Sequence, residues 1–146
     1  MKVHLINPSH VSFGTAVITP RWLYVLAAAT PKSYGDPILV DETLAAIDPA
    51  RIQPGDVVGI GIHTANALRG YEIGRMARDR EAYVVFGGIH ATLYPEEARE
   101  LGGAHAVVKG VHARSARLWG CKQAKSTRQT GAQAKSISED SRLTST

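Results

Sequence analysis

The chain has 146 residues, enough for one domain with a hydrophobic core, and its hydrophobic fraction of 44% is ordinary for a soluble globular protein. Its apolar stretches are shorter than the roughly 20 residues that a membrane helix needs, and its N-terminus lacks the apolar core of a signal peptide, so we expect a cytoplasmic protein without membrane association. The net charge of +4 belongs to the C-terminal part, since residues 1–110 carry ten basic and eleven acidic side chains, so residues 1–110 give no electrostatic reason to expect a nucleic-acid partner.

Residues 1–110 alternate strand and helix patterns, with a loop over residues 9–20. The predicted strands are Val3–Ile6, Ile38–Val40, Asp56–Ile62, Tyr83–Phe86 and Ala106–Val108. The predicted helices are Arg21–Thr30, Glu42–Ile47, Ala65–Arg80 and Pro95–Leu101. The third strand is almost continuously apolar, which is typical of a strand buried on both faces. In the long helix, Leu68, Ile73, Met76 and Ala77 recur at roughly helical spacing. Together the elements predict an α/β fold with a flavodoxin-like (Rossmann-like) doubly wound parallel five-stranded sheet in the order 2-1-3-4-5.

The pattern stops after Gly110. Ten of the 36 residues from Val111 onward are Ser or Thr, and large apolar residues are few and scattered. Such a segment buries too little apolar surface to offset its ordering entropy, so we expect a disordered basic tail over residues 111–146, with at most a short helix around Arg114–Gln123. A natural tail and translation in a shifted reading frame both fit this change. We therefore divide the chain into a domain of residues 1–110 and a tail of residues 111–146.

The fourth strand ends in a feature that is typical of a ligand crevice. The sequence YVVFGGIHATLYPEE runs from an apolar strand into Gly87–Gly88, then into a polar turn with His90 and Thr92, and then into a helix that begins at Pro95. Adjacent glycines at the carboxyl end of a parallel strand let a ligand approach the backbone closely. The segment therefore predicts a binding site at this edge of the sheet.

Several other chemistries are disfavoured. Gly59–Ile60–Gly61 resembles part of a dinucleotide fingerprint, but its glycines lie inside the strand and the third glycine is replaced by Thr64. The sequence has no P-loop motif, no zinc-ligand spacing and no nucleophile elbow. Cys121 is the only cysteine, so an internal disulfide is excluded. A receiver-type interaction domain is disfavoured because no acceptor aspartate closes the third strand. A flavin- or nucleotide-binding module on the same crevice remains an alternative.

Five segments together resemble the N-terminal cobalamin-binding domain of bacterial radical SAM enzymes. They are KVHLINP, ILVDET, PGDVVGIGIHT, FGGIHATLYPEEA and GAHAVVKG, and they span residues 1–110. The resemblance implies a cobalamin (corrinoid) cofactor that carries a methyl group or assists radical chemistry on a small molecule. The sequence departs from the family after Gly110, where Val111–His112 replaces an acidic-glycine turn.

The resemblance also implies what this chain does not carry. The motif D-x-H-x-x-G, with which another cobalamin family supplies a histidine to cobalt, is absent, so we assign no protein ligand to the metal. One cysteine cannot form the C-x₃-C-x₂-C motif that holds an iron–sulfur cluster. We therefore expect no catalysis by this chain alone. Its partner would be a separate radical SAM domain or chain, unless the chain is a non-functional truncated fragment.

By the same resemblance, the corrin ring would lie over the carboxyl ends of the strands, and the nucleotide tail would need a groove beside the sheet. The implied cofactor-binding residues are Asn7, Pro8, His63, Thr64, Gly87, Gly88, Ile89, His90 and Thr92. The favoured contacts are Thr64, Gly87, Gly88 and His90. The two glycines could instead simply make the turn, and His90 could instead cap the following helix or lie in solvent.

Overall fold

The computed structural model describes residues 1–9 and 20–110. In chain order the strands and helices are β1 Val3–Asn7, α1 Arg21–Ala29, β2 Ile38–Asp41, β3 Val57–Gly61, α2 Ala67–Asp79, β4 Tyr83–Gly87, α3 Ile89–Leu93, α4 Pro95–Glu100 and β5 Ala106–Val107. Short 3-10 turns lie at Lys32–Tyr34, Pro49–Arg51 and Thr64–Asn66. The predicted disorder and short helix of residues 111–146 lie outside the described residues, as does most of the predicted loop over residues 9–20.

The described strands form one parallel sheet in the order β2-β1-β3-β4-β5, which confirms the predicted flavodoxin-like class and strand order. The chain moves from β1 outward to β2 and then returns past β1 to β3. The carboxyl ends of β1 and β3 therefore form the switch point at which open α/β sheets bind ligands.

The register of the strands divides the sheet into two faces. Val3 pairs with Val57 and Val57 with Tyr83, while Leu5 pairs with Gly59 and Gly59 with Val85. Because side chains alternate along a strand, these odd-numbered positions share one face, which we call the groove face. The even-numbered positions of the same strands form the opposite face, which we call the packed face: Ile6, Val58, Ile60, Val84 and Phe86.

The packed face is covered by α2 and α4. Ile73 and Ala77 of α2 and Ala98 of α4 are buried in the same cluster as Val58 and Phe86. The Phe86 ring lies so close to α2 that a Cβ added at Gly74 would come within 2.8 Å of it. Glycine at this position thus allows the helix to pack directly on the aromatic ring, and the layer is closely filled.

The groove face is covered by α1 over only part of its width. Leu23 of α1 is buried with Val3 and Leu5, above β1. On β3 the groove-face positions Val57, Gly59 and Gly61 are only half-buried. The prediction that the third strand is buried on both faces is therefore wrong, because α1 reaches its second face only through Trp22 over Gly61.

Two local predictions are also wrong for reasons of hydrogen bonding. Glu42–Ile47 is a turn rather than a helix. The Asp41 carboxylate accepts hydrogen bonds from the backbone N–H and hydroxyl of Thr43, and the Glu42 carboxylate accepts one from the Ile47 N–H. The N–H groups of Leu44 and Ala45 still donate to the Asp41 carbonyl, as in a first helical turn. The Ile47 N–H donates to the Glu42 carboxylate instead of a backbone carbonyl, so the turn does not continue as a helix. The polar turn predicted after Gly88 is instead the short helix α3, in which the Thr92 hydroxyl donates to the Gly88 carbonyl at 2.8 Å.

The predicted apolar stripe of the long helix is only partly correct. Ile73 and Ala77 are buried and Met76 is partly buried against the core, but Leu68 is 77% exposed. Leu68 lies in the first turn of α2, which rises past the end of the sheet, so it faces solvent at the carboxyl edge.

A buried His–Asp pair closes the opposite, amino edge of the sheet. His4 Nε2 lies 3.1 Å from Asp56 Oδ2, and both side chains are almost fully buried. Asp56 also accepts hydrogen bonds from the backbone N–H groups of Lys2 and Gln53. Burial acts to raise the pKa of Asp56, but these hydrogen bonds outweigh it and hold the pKa below its usual range.

Candidate ligand-binding site

A groove on the groove face is floored by glycine. The groove-face residues are Val57, Gly59 and Gly61 on β3, and Tyr83, Val85 and Gly87 on β4. Gly61 pairs with Gly87 at the carboxyl end, where both positions lack a side chain. The floor therefore deepens toward the carboxyl edge, and we call this cavity, with Gly59, Gly61 and Gly87 in its floor, the glycine groove. Interior strand glycines often mark the close approach of a ligand.

The glycine groove is a sizeable apolar cavity. Its volume is about 540 Å³, within the range of roughly 300–1,000 Å³ that is typical of ligand pockets. Trp22 and Leu26 of α1 form one wall, and Val108 lies on the other side. The Trp22 indole rests directly on Gly61, since a Cβ added there would meet its ring at 2.5–2.9 Å. The groove therefore offers an aromatic wall over Gly61 and open backbone at Gly87, which suits a flat apolar group.

The lining is nearly free of charge. Among the described residues that line the groove, the side chains with polar groups are Asn7, Trp22, Thr30, Tyr34, His63 and Tyr83, and none is Lys, Arg, Asp or Glu. A site of this composition binds uncharged surface and fixes orientation through a few polar groups at its rim.

The mouth of the groove lies at the switch point of the sheet. Asn7 at the end of β1 lines it and donates a hydrogen bond from Nδ2 to Asp41 Oδ1 at 2.9 Å. His63, just beyond β3, is exposed and lines it too. Buried Asn66 joins the two loops, because its Oδ1 accepts from the His63 N–H at 2.8 Å and its Nδ2 donates to the Pro8 carbonyl at 3.1 Å. The rim is thus held in place by side-chain amides.

A buried carboxylate orders the neighbouring loops. Glu42, whose side chain is 2% exposed, receives two hydrogen bonds from the Arg69 guanidinium, at 2.9 and 2.8 Å, and a third from the Ser9 N–H at 3.3 Å. Burial acts to raise the pKa of Glu42, but the Arg69 hydrogen bonds and the backbone N–H groups of Ser9 and Ile47 hold it below its usual range. Arg69 thereby connects α2 to the loops that follow β1 and β2.

The two adjacent glycines of the motif differ in their roles. Gly88 has φ of +95°, and a Cβ there would overlap the backbone carbonyl of Ile62, so the fold itself requires glycine at this position. At Gly87 the nearest atom to an added Cβ is Val108 Cβ at 4.0 Å. Gly87 therefore leaves open space that faces the groove, which is the feature expected of a ligand contact.

His90 lies away from the groove. It is 7% exposed, and its ring contacts Thr64, Glu97 and Tyr94 on the side of the packed face. Thr92 ties α3 to the end of the described domain, because its hydroxyl donates to the Gly88 carbonyl and accepts from the Gly110 N–H at 3.0 Å.

Of the nine predicted contact residues, the structure brings five together around the groove: Asn7, His63, Gly87, Gly88 and Ile89. Pro8, Thr64, His90 and Thr92 lie outside its lining. Sequence reasoning missed Trp22, Gly59 and Gly61, which form the wall and floor. The sequence does contain a signal for the floor. Gly59, Gly61 and Gly87 are at odd-numbered positions of neighbouring strands, and the register places these positions on one face of the sheet.

Residues 1–9 and 20–110 contain neither a metal-binding cluster nor a membrane-spanning helix. Within these ranges no group of three or more His, Cys, Asp or Glu side chains could hold a metal ion. None of the helices in the same ranges is sufficiently long and apolar to cross a membrane.

Comparison with known proteins gives one significant curated relative. The chain is 35% identical over 83 residues to the bacteriochlorophyllide d C-12(1)-methyltransferase of Chlorobaculum tepidum. The match covers 57% of this chain but only 18% of that enzyme, so the chain corresponds to less than a fifth of its relative. No protein-family model matches the chain, and no solved structure matches it significantly. The comparisons thus support a distant relationship to part of a methyltransferase.

Proposed function

We propose that this chain is a cobalamin-binding module that holds the cofactor in the glycine groove and over the carboxyl edge of the sheet. The observation that carries the proposal is the groove itself, an uncharged cavity with a glycine floor and an aromatic wall that opens at the switch point of the sheet. The resemblance of residues 1–110 to the cobalamin-binding domain of radical SAM enzymes supports it.

The residues present fit the chemistry of the group. Cobalamin has a nucleotide tail that ends in a flat, apolar base, and a groove bounded by Trp22 and open at Gly87 suits such a base. Its corrin ring carries uncharged amide arms, and Asn7, His63 and the backbone at Gly87–Gly88 offer hydrogen-bonding groups at the mouth. When bound, cobalamin would supply a cobalt centre able to carry a methyl group or to assist radical chemistry.

The similarity to the Chlorobaculum tepidum enzyme also supports a cobalamin-binding module. That enzyme is named as a methyltransferase, and methyl transfer is one of the chemistries that the resemblance implies for a corrinoid module. We propose in addition that the module does no catalysis alone and works with a radical SAM domain, on the same or another chain.

The uncharged lining disfavours the alternative of a flavin or nucleotide with a terminal phosphate. Such ligands are usually held by helix N-termini, Lys or Arg. Among the described lining residues none is Lys or Arg. Parallel titrations with FMN and with ATP separate this alternative from cobalamin.

The experiment is a titration of the full chain with hydroxocobalamin, followed by the visible spectrum and gel filtration. We expect co-elution at close to one cofactor per chain. Gly87→Leu places a branched side chain where the Cβ itself meets no atom closer than 4.0 Å, and it should weaken binding at least tenfold. Ala28→Leu adds a leucine to the exposed side of α1 and should bind as the wild type does.

Circular dichroism and thermal unfolding of each variant show whether it is folded. No binding by a folded wild-type chain would refute the proposal. Equal binding by Gly87→Leu and Ala28→Leu would refute the assignment of the glycine groove.

A further inference from the structure

A chain of three polar side chains lies at the carboxyl edge, outside the glycine groove. Glu97 Oε2 is 3.4 Å from His90 Nε2, and His90 Nδ1 is 3.3 Å from Thr64 Oγ1. The His90 side chain is 9% exposed and that of Glu97 48%, while Thr64 is exposed one residue beyond His63 at the groove mouth. We call Glu97, His90 and Thr64 the edge relay. It leads from a carboxylate through a buried imidazole to a hydroxyl at the surface.

The surrounding groups fix the direction of the hydrogen bonds. The Tyr71 hydroxyl donates to Glu97 Oε2 at 3.2 Å. Burial, together with the charge of Glu97 and this hydrogen bond, raises the pKa of Tyr71 to about 12, so the hydroxyl keeps its proton. The ionised Glu97 carboxylate can only accept, and this favours the His90 tautomer with its proton on Nε2.

The other ring nitrogen then acts as an acceptor. With the proton on Nε2, His90 Nδ1 has a lone pair directed at Thr64, and the Thr64 hydroxyl donates to it. Both distances are at the long end of the hydrogen-bond range. The lone pairs of the Thr64 oxygen are consequently free to accept a hydrogen bond at the carboxyl edge.

We propose that the edge relay sets Thr64 as a hydrogen-bond acceptor for an amide N–H of the ligand, with His90 as the positioning residue and not itself a contact. The proposal rests on the proposed function, since the ligand with amide arms is cobalamin. In a protonated His90, Nδ1 would be a donor, and the direction of its hydrogen bond with the Thr64 hydroxyl would reverse. With both ring nitrogens donating, Thr64 must accept from Nδ1–H and turn its own proton outward, away from the geometry that receives an amide donor.

The titratable groups that face the His90 ring come from the elements packed around it. They are Tyr71 of α2, Tyr94 between α3 and α4, and Glu97 of α4.

The first test needs no ligand. Long-range ¹H–¹⁵N NMR of the imidazoles of the full chain reports the His90 tautomer, with the resonances assigned from His90→Gln. We expect the Nε2–H form, and a shift toward a mixture of tautomers in Glu97→Gln. An Nδ1–H form in the wild type would overturn the relay.

The second test measures the dissociation constant of cyanocobalamin, whose cobalt-bound cyanide does not titrate. At pH 7.5 we expect Thr64→Val to raise it about tenfold, Thr64→Ser to retain wild-type binding, and Glu97→Gln to give an intermediate value.

Wild-type binding by Thr64→Val would overturn the edge relay alone. Absence of binding by the folded wild type at any pH would refute the proposed function, and with it the role of Thr64. The two failures are therefore distinguishable.

Discussion

Gly74 of α2 and Gly87 of β4 serve opposite purposes on the two sides of the sheet. On the packed face, Gly74 allows α2 to lie directly on Phe86, and the space is filled by protein. On the groove face, Gly61 and Gly87 meet at the carboxyl end of the floor, and the space beyond Gly87 is open. A glycine therefore indicates a ligand contact only where no protein side chain lies over it, since Trp22 covers Gly61 on the same face as the open Gly87.

The strongest test of the comparison removes a large side chain from the packed face. Phe86 is fully buried, and we expect Phe86→Ala to lower the free energy of unfolding by about 3–5 kcal/mol, because it leaves a cavity in a closely packed layer. Trp22→Ala removes a larger ring from the wall of an already open groove and should lower it by less. Urea unfolding followed by circular dichroism measures both, and equal losses would contradict the difference between the faces.

A second test replaces one glycine on each side of the sheet by alanine. A Cβ at Gly74 would overlap the carbonyl oxygen of Gly102 and press on Phe86, so Gly74→Ala should lower the free energy of unfolding by about 1–3 kcal/mol despite the better helix propensity of alanine. Gly87→Ala meets open space and should stay within about 0.5 kcal/mol of the wild type. A loss at Gly87 as large as that at Gly74 would show that the groove is closely packed.

A third test uses acid, and its expected effect is smaller. The two carboxyl groups with lowered pKa values, Asp56 and Glu42, lie outside the groove lining. Each is more acidic when folded, so the stability that it contributes is present above the unfolded-state pKa values of 3.8 and 4.5 and is lost as the pH falls through the lower folded values. Urea unfolding between pH 7 and pH 3 should show this loss.

Asp56→Asn supplies the control for the acid test. It should be less stable than the wild type at pH 7 and should lose less of its remaining stability on acidification, because one of the two titrating groups is gone. An identical pH dependence in the wild type and the variant would contradict the assigned role of Asp56.

Much of the fold could be predicted from the sequence, because strand position is encoded in short apolar runs that tertiary packing reinforces. The runs at Tyr83–Phe86 and Ile38–Val40 are examples, and the order of the sheet follows from the alternation of strands and helices. The segment Glu42–Ile47 was not predictable from helix propensity, because the carboxylates of Asp41 and Glu42 bind backbone and side-chain donors within it.

The site was predictable at its mouth and not at its floor. The Gly87–Gly88 pair indicates a strand end at the sheet edge, and that edge does border the groove. Gly59 and Gly61 do not fit a dinucleotide motif, and this hides their role. All three glycines, including Gly87, are at odd-numbered positions that lie on one face of the sheet. The wall formed by Trp22 depends on how α1 lies across the sheet, which local sequence does not encode.

The central claim is that the ligand enters on the groove face, and adjacent valines allow a direct test. Val57 and Val85 line the groove, while their sequence neighbours Val58 and Val84 are fully buried on the packed face. The measurement is methyl NMR of the full chain, labelled at valine, during titration with cyanocobalamin. We expect large chemical-shift changes of the Val57 and Val85 methyl groups that saturate near one equivalent of cyanocobalamin, and small changes at Val58 and Val84. Binding that leaves Val57 and Val85 unmoved, or that moves both pairs equally, would contradict it.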